Sequence, residues 1–173
     1  LADSCNNLAC LLSDTGSSKE AEELYWEALK SRRELAEKNP DAYLPSLADS
    51  CNNLACLLSD TGSSKEAEEL YWEALKSRRE LAEKNPDAYL PSLADSCNNL
   101  ACLLSDTGSS KEAEELYQEA LKIRRNLAEE NPKVYLPKLQ LVCDNLTALL
   151  EKTGRREEAD NLRREVAEFF KLQ

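Results

Sequence analysis

The chain has 173 residues, of which 42% are hydrophobic and 32% charged, and its formal net charge is −11. This composition is typical of a folded protein, and the negative charge argues against a surface that binds nucleic-acid phosphates. The sequence has neither an 18-residue apolar run nor a signal-like opening, so neither a membrane span nor export is indicated, although an export signal could have preceded Leu1. Because it starts at Leu1 within a pattern and without Met, we expect it to be part of a longer protein.

The dominant feature of the sequence is an internal repeat of 46 residues. Residues 1–46 and 47–92 are identical, and residues 93–138 differ from them only at positions from Gln118 onward. Residues 139–173 form a diverged and shorter fourth copy. Repetition of this kind predicts a stack of small units that share one continuous core, so we expect residues 1–173 to form a single repeat domain.

The first half of each repeat reads as an amphipathic helix. Leu1, Cys5, Leu8, Ala9 and Leu12 recur at helical spacing and predict a buried stripe. A glycine follows at position 16, where it can adopt the left-handed conformation that ends a helix. The sequence therefore predicts that the first helix of the repeat ends just before this glycine.

The second half of the repeat reads as a longer helix. Ser17 followed by Glu20 predicts a capping box at its start. The helix is expected to end at Asn39, because the residue before Pro40 is pushed out of the helical region. Residues 41–44 are expected to form a short connector, either irregular or a single helical turn, with Pro45 in the first turn of the next helix.

The two ends of the array are expected to differ. The fourth copy places Arg163 where the first places Tyr25, which predicts that helix 157–170 is a solvated cap with Phe169 and Phe170 at its edge. No comparable cap precedes the stripe that starts at Leu1. We therefore expect end-to-end self-association through the uncapped first repeat to be possible.

These positions carry a resemblance to a known family. The spacing of Leu8, Ala9, Leu12 and Gly16 with Ala21, Tyr25 and Ala28 returns in the next two copies and resembles the tetratricopeptide repeat (TPR) signature. At 46 residues the unit is longer than the 34-residue form and is similar to the repeats of kinesin light chain and of bacterial signalling proteins. The resemblance implies an all-α, right-handed α-solenoid of antiparallel helix pairs.

The residue types argue against an enzyme and against a cofactor or metal site. The chain has no histidine, and its four glycines each serve as a helix stop rather than as a phosphate-binding loop. Cys5 and Cys10 lie five residues apart, so they point to different faces of one helix and cannot form an internal disulfide. Free cysteines within a helical pattern favour a reducing, cytoplasmic setting.

The resemblance implies a partner-binding groove on the side of the first helix that lies opposite Leu8. In TPR arrays the first helices stand side by side and line a concave surface that holds a peptide or a partner segment. Residues of this sequence at those positions are Asp3, Asn6, Asn7, Cys10, Ser13, Asp49, Asn52, Asn53, Cys56, Ser59, Asp95, Asn98, Asn99, Cys102, Ser105 and Asn145.

One asparagine of this set recurs in all four copies, as Asn7, Asn53, Asn99 and Asn145. A carboxamide carries both a donor and an acceptor, so this ladder could bond a bound peptide backbone. It could equally bond a neighbouring helix and order the stack, and both roles could hold together. The aspartates of the groove favour a basic or neutral partner over an acidic one.

The sequence thus predicts a protein-interaction scaffold without catalysis of its own. Two alternatives stay open. The array could be a spacer or a self-stacking structural element, or it could be an engineered repeat fragment without a native ligand. The identity of the copies fits both natural amplification and design, although two free cysteines in each unit are more typical of natural repeats.

Overall fold

The computed structural model describes residues 2–172, and within that range it contains eight α-helices and no strand. Each repeat contributes two helices, which confirms the all-α fold of helix pairs predicted from the sequence. The helices are α1 (Ala2–Asp14), α2 (Ser18–Lys38), α3 (Pro40–Asp60), α4 (Ser64–Lys84), α5 (Pro86–Thr107), α6 (Ser110–Glu130), α7 (Pro132–Lys152) and α8 (Arg156–Leu172).

The helices form two compact units, Leu1–Tyr89 and Leu90–Gln173. In the first unit α1 packs on α2, α2 on α3, and α3 on α4. In the second unit α6 packs on α7, and α7 packs on α8. Within each unit, therefore, helices that are neighbours in sequence are also neighbours in space.

The turn between the two helices of a repeat depends on its glycine. Gly16 has a φ of +85°, a left-handed conformation that a residue without a Cβ adopts at little cost. The Ser17 N–H donates to the Leu12 carbonyl at 2.8 Å, and the Gly16 N–H donates to the Ser13 carbonyl at 3.1 Å. This pair of bonds is a Schellman motif, and it satisfies carbonyls at the end of α1.

The predicted capping box at Ser17 is wrong. The Ser17 side chain makes no cap hydrogen bond. A capping box needs the backbone N–H of this residue as a donor for Glu20, but that N–H is already bound to the Leu12 carbonyl. The Schellman motif that closes α1 thus removes the donor that a capping box at α2 would use.

Residues 41–44 are helical, as one form of the prediction allowed, but they do not form a separate connector because they belong to α3 itself. Asn39 is the single residue between α2 and α3, and α3 runs through Pro45 without a break. Pro40 occupies the first helical position, where its missing N–H costs nothing. The Asn39 side chain accepts a hydrogen bond from the Ala42 N–H at 3.4 Å, and its own N–H donates to the Leu35 carbonyl at 2.9 Å. One asparagine therefore ends one helix and caps the next.

The core of each repeat combines leucines with small residues that lie between its two helices. Ala9, Ala21 and Ala28 are fully buried in the first repeat, and Tyr25 is 4% exposed. Leu8 was expected in this core, yet it is 47% exposed, whereas its counterpart Leu54 is completely buried. The two leucines have identical sequence surroundings, but α2 packs on α3 and no helix within residues 2–172 covers the same face of α1.

The last helix has the polar outer surface that its sequence predicts. Arg163 is exposed and pairs with Glu151 at 2.7 Å and with Asp160 at 3.2 Å. Ala159 and Val166 face inward and are almost completely buried. Since Arg163 stands where an aromatic residue is buried in the other repeats, its charge shows that this position is solvated in α8.

Candidate functional site

The residues predicted to line the groove lie at different depths. Asp3, Asn7 and Asp49 are exposed, whereas Asn6 and Asn98 are buried. The remaining predicted residues are half-buried: Cys10, Ser13, Asn52, Asn53, Cys56, Ser59, Asp95, Asn99, Cys102, Ser105 and Asn145. The predicted set therefore contains both surface groups that a partner could reach and buried groups that face neighbouring helices.

Asn6 is engaged inside the first unit. Its Oδ1 accepts hydrogen bonds from Arg32 NH1 at 3.4 Å and from Ser50 Oγ at 3.3 Å. Arg32 is contributed by α2 and Ser50 by α3, so these bonds join helices of consecutive repeats. Because the oxygen is already bound, Asn6 acts in this unit as a link between repeats.

The aspartates of the predicted groove are neutralised by arginines of their own repeats. Arg32 NH2 lies 2.7 Å from Asp3 Oδ1, and Arg78 NH2 lies 2.9 Å from Asp49 Oδ1. Asp95 pairs with Arg124 in the same way. The hydrogen bond from Arg32 also lowers the pKa of Asp3. All three arginines are buried, so each aspartate offers a partner less uncompensated charge than its sequence suggests.

The second cysteine of each complete repeat accepts a hydrogen bond from a buried tyrosine. The distance from Tyr25 Oη to Cys10 Sγ is 3.1 Å, and the corresponding distance from Tyr117 to Cys102 is 3.2 Å. Burial raises the pKa of the Cys102 thiol, and burial together with this hydrogen bond raises the pKa of Tyr117. The thiol therefore stays protonated and acts as an acceptor between the two helices, not as a nucleophile.

A cleft in the second unit brings several predicted residues together. It has a volume of about 320 Å³ and lies between α5 and α7, with Tyr117 of α6 at its side. Its lining combines an amide, a thiol, a hydroxyl and two opposite charges with apolar groups. The lining residues, which we call the Asn145 cleft, are Cys102, Ser105, Asp106, Tyr117, Asn145, Ala148, Leu149 and Lys152.

The side-chain amide of Asn145 uses only its nitrogen in hydrogen bonds with residues 2–172. Its Nδ2 donates to Asn98 Oδ1 at 3.0 Å and to Cys102 Sγ at 3.5 Å. Its Oδ1 accepts no hydrogen bond from any residue between 2 and 172. The amide is thus oriented by its donor end while its acceptor remains available, which is the arrangement needed to bind an N–H group of a ligand.

The charged residues of the cleft and the linking arginines were not identified from the sequence. Lys152 donates from Nζ to the Ser105 carbonyl at 2.7 Å and lies at the cleft together with Asp106. The sequence did contain one indication that Lys152 differs from its counterparts. It stands where the first repeat has Asp14, so the charge at this position is reversed in the diverged fourth copy. The spacing of Arg32 in the sequence does not show which helix receives its guanidinium.

The described part of the chain shows neither a metal site nor a membrane-spanning helix. No group of three or more carboxylate, thiol or imidazole side chains within residues 2–172 is placed to hold a metal ion. In the same range, no helix combines the length and the apolar character needed to cross a membrane. Of the residues predicted to line the groove, Cys102, Ser105 and Asn145 come together at the Asn145 cleft.

Comparison with known proteins places the chain among helical repeats. A family model described as tetratricopeptide repeat matches residues 1–41, 47–87 and 93–132, which together cover more than half of the chain. No curated protein sequence matches the chain.

Solved structures share the fold at low sequence identity. BtubC (BKLC) from P. vanneervenii superposes with a TM-score of 0.80 at 24% identity, over 98% of this chain and 63% of that one. The apo form of RapI gives a TM-score of 0.78 at 18% identity, over 97% of this chain and 55% of that one. MamA AMB-1 gives 0.61 at 19% identity, over 97% and 72%. The chain thus spans less than two thirds of the length of the first two structures, and at these identities the likeness concerns the fold alone.

Proposed function

The chain belongs to the tetratricopeptide repeat family, and from that premise we propose that it binds a peptide or partner segment on the first helices of its repeats. Repeats of this family generally act as scaffolds for protein interactions. The site that we assign is the Asn145 cleft, and no catalytic step is part of the proposal. A backbone N–H of the partner donates to Asn145 Oδ1, while side chains of the partner contact the exposed Ala148.

The observation that carries this proposal is the free acceptor of a fixed amide. Asn145 is held by two hydrogen bonds through Nδ2, so little conformational freedom is lost when Oδ1 receives a donor. Ala148 is exposed at the cleft and leaves room beside this acceptor. Asn7, at the corresponding position of the first repeat, is exposed and makes no hydrogen bond with residues 2–172, so a second amide of the ladder is also accessible.

The proposed partner segment is basic or neutral. The net charge of −11 favours approach of a basic segment, especially at low ionic strength. Within the cleft, however, Asp106 and Lys152 balance each other, and the aspartates nearby are paired with arginines. We therefore propose that charge speeds association, whereas the amide and the apolar lining determine how long the segment stays bound.

The proposed setting is a reducing compartment such as the cytoplasm. All seven cysteines are free thiols, and Cys51, Cys97 and Cys143 are completely buried. A buried free thiol packs as a small apolar group, which supports a fold that does not depend on oxidation.

The proposal is tested by filling the cleft. A phage-displayed peptide library is selected against the full chain, and the affinity of the selected peptides is measured by fluorescence anisotropy. Replacing the exposed Ala148 by Trp occupies the cleft, and we expect it to weaken binding by about tenfold or more, as loss of a well-packed contact does. Asn145→Leu removes the acceptor and is expected to weaken binding by about fivefold.

The matched control is Ala167→Trp, which adds the same side chain at an exposed alanine of α8 that does not line the cleft. It should leave the affinity unchanged. Peptides that bind equally well to all three variants would refute the Asn145 cleft as the binding site. A chain that selects no peptide and associates with itself as concentration rises would instead support the spacer or self-stacking function.

A further inference from the structure

Another cavity lies in the first unit, where α2 ends and α3 begins. It has a volume of about 390 Å³ and is lined by residues of α2, α3 and α4. Its apolar lining consists of Ala36, Pro40, Leu44 and Leu47, and we call the cavity the Leu44 pocket. Pro40 is exposed and Leu44 is half-buried, so a ligand can reach this apolar surface. The volume lies within the range of about 300–1,000 Å³ that is common for ligand sites.

The Leu44 pocket is separate in the repeat pattern from the Asn145 cleft. None of its lining residues stands at a repeat position that contributes to that cleft. Its lining residues fall between positions 33 and 80, inside the first unit. The pocket is therefore formed where three described helices meet, and not by an uncovered end of the array.

An ion pair fixes one side of the pocket. Arg33 on α2 contacts Glu73 on α4, with Nε 3.0 Å from Oε1 and NH2 bound to Oε2. This bidentate geometry holds both side chains in one orientation. Ala36 and Leu47, which also line the pocket, are only 6% and 7% exposed and are fixed by packing. The pocket is thus preformed, so little conformational freedom is lost when it is filled.

The lining of the pocket carries more negative than positive charge. Three of its residues are carboxylates and one is a guanidinium, and the ion pair uses only one of the carboxylates. Glu37 is exposed and forms no hydrogen bond or ion pair with any residue from 2 to 172. Glu80 lies 3.2 Å from Lys84 Nζ, but this lysine also pairs with a second carboxylate, at 2.8 Å. The remaining charge therefore favours a ligand with positive groups.

This charge pattern is not repeated along the chain. Asn126 and Leu172 stand where the second repeat has Glu80. In the second unit the ion pair is kept, with Arg125 NH1 2.8 Å from Glu165 Oε1. Leu172, however, brings no charge to the corresponding position and is 82% exposed. The combination of a free and a shared carboxylate beside the apolar lining is thus a property of the first unit.

We propose that the Leu44 pocket is a second binding site, which takes an apolar side chain of a partner peptide flanked by lysine or arginine. The apolar side chain contacts Pro40 and Leu44. The flanking cations pair with Glu37 and Glu80. The site does not depend on the Asn145 cleft, because no residue of that cleft takes part.

The test measures binding of a defined peptide, acetylated and amidated Gly-Lys-Phe-Lys-Gly, to the full chain by isothermal titration calorimetry. We expect saturable one-to-one binding that weakens as salt concentration rises. Exchange of both lysines for glutamate should raise Kd about tenfold or more, because like charges then meet at Glu37 and Glu80. Exchange of the phenylalanine for alanine should also raise Kd about tenfold, because the apolar contact is lost.

Variants of the chain locate the site. Leu44→Lys should raise Kd about tenfold or more, since it removes an apolar contact and adds a charge that repels the peptide. The matched control is Leu136→Lys, at the half-buried counterpart of Leu44 in α7, and it should leave Kd unchanged. Far-UV circular dichroism verifies that both variants fold. Glu37→Gln changes an exposed residue and should raise Kd about threefold, whereas Glu129→Gln at the same position of α6 should not.

Ala148→Trp separates this site from the Asn145 cleft and should leave the affinity for this peptide unchanged. Weaker binding in Ala148→Trp, together with unchanged binding in Glu37→Gln, would place the peptide in the cleft and overturn the proposal. Absence of saturation at millimolar peptide, or equal effects of Leu44→Lys and Leu136→Lys, would overturn it without affecting the function proposed for the cleft.

Discussion

The junction between α2 and α3 and the junction between α6 and α7 bury the same arginine in different surroundings. In the first, Arg32 NH1 donates to Ser50 Oγ and, at 2.9 Å, to the Ser46 carbonyl, while NH2 pairs with Asp3. Only the Nε of Arg32 lacks a partner among the described residues. Each terminal nitrogen of this guanidinium therefore has an acceptor on a neighbouring helix.

In the second junction the arginine has lost its hydroxyl partner. Arg124 donates from NH2 to Asp95 and, at 3.0 Å, to the Pro91 carbonyl. Its NH1, which carries two N–H groups, has no partner within residues 2–172 although Arg124 is only 1% exposed. The guanidinium instead lies 5.8 Å from the centre of the Tyr135 ring. The cause is visible in the sequence, because Val142 stands where the earlier repeat has Ser50.

This difference is linked to the asparagine ladder. In the first junction Asn6 Oδ1 is occupied by Arg32 and Ser50, and Asn53 reaches only Cys10 Sγ, at 3.9 Å. In the second junction Asn98 Oδ1 is instead bound by Asn145, at 3.0 Å. Where Val142 replaces the serine, the Asn98 oxygen is bound by neither a serine nor an arginine of residues 2–172. It accepts a hydrogen bond from Asn145 instead, and this bond orients the Asn145 amide. A substitution inside a unit can therefore orient a residue of the proposed binding site.

The largest expected contrast between the two junctions comes from replacing each arginine by methionine. Arg32→Met should lower the free energy of unfolding by about 2 kcal/mol, because it deprives Ser50 and Asn6 of a buried charged donor. Arg124→Met should change it by less than about 1 kcal/mol, because it also removes a buried unpaired NH1. Urea denaturation followed by far-UV circular dichroism measures both. Equal losses would show that the unpaired NH1 carries no penalty.

A smaller contrast is expected from exchanging the residue types at the hydroxyl position. Ser50→Val should destabilise the chain by about 1.5 kcal/mol, because Arg32 NH1 loses an acceptor. Val142→Thr keeps the shape and supplies an acceptor to Arg124 NH1, so it should stabilise by up to about 1 kcal/mol. The midpoint of urea denaturation reports both changes. A destabilising Val142→Thr would contradict this prediction, because it would mean that the new hydroxyl is buried without a hydrogen bond to Arg124 NH1.

The smallest expected effect concerns Asp3, whose side chain is 85% exposed, compared with 47% for Asp95 in the other junction. The hydrogen bond from Arg32 holds the pKa of Asp3 below its ordinary value of 3.8. A lowered folded-state pKa contributes stability above the ordinary value, and this contribution is lost as pH falls through the folded-state value. Asp3→Asn should therefore lower the urea midpoint at about pH 5, and the difference from wild type should shrink below about pH 3. A difference that persists in acid would assign the effect to lost packing instead.

Much of the fold could be predicted from the sequence because it depends on local chemistry that recurs. Gly16 ends α1 through its left-handed conformation, and Pro40 starts α3 with a missing N–H that costs nothing. Pro45 was misleading, since a proline inside a helix usually breaks it. Here α3 had already begun at Pro40, and the helix continues through Pro45.

The candidate site was predictable only in part, because sequence spacing gives a helix face but not the partner of a long side chain. Asn145 was identified from its recurrence in all four copies. The pairing of Asp95 with Arg124, by contrast, joins residues 29 positions apart through a guanidinium whose direction no periodicity determines. Asn98 was assigned to the groove by helical position, yet its oxygen is used by Asn145 inside the stack.

Short links between helices, such as the single residue Asn39 between α2 and α3, limit where proteases can cleave the folded chain. Proteases cut extended segments, and the non-helical segments within residues 2–172 are no longer than the three residues between α1 and α2. Segments this short cannot enter a protease active site while both flanking helices are intact. Limited proteolysis of this chain should therefore report the opening of whole helices, and its rate should follow the local stability of each repeat.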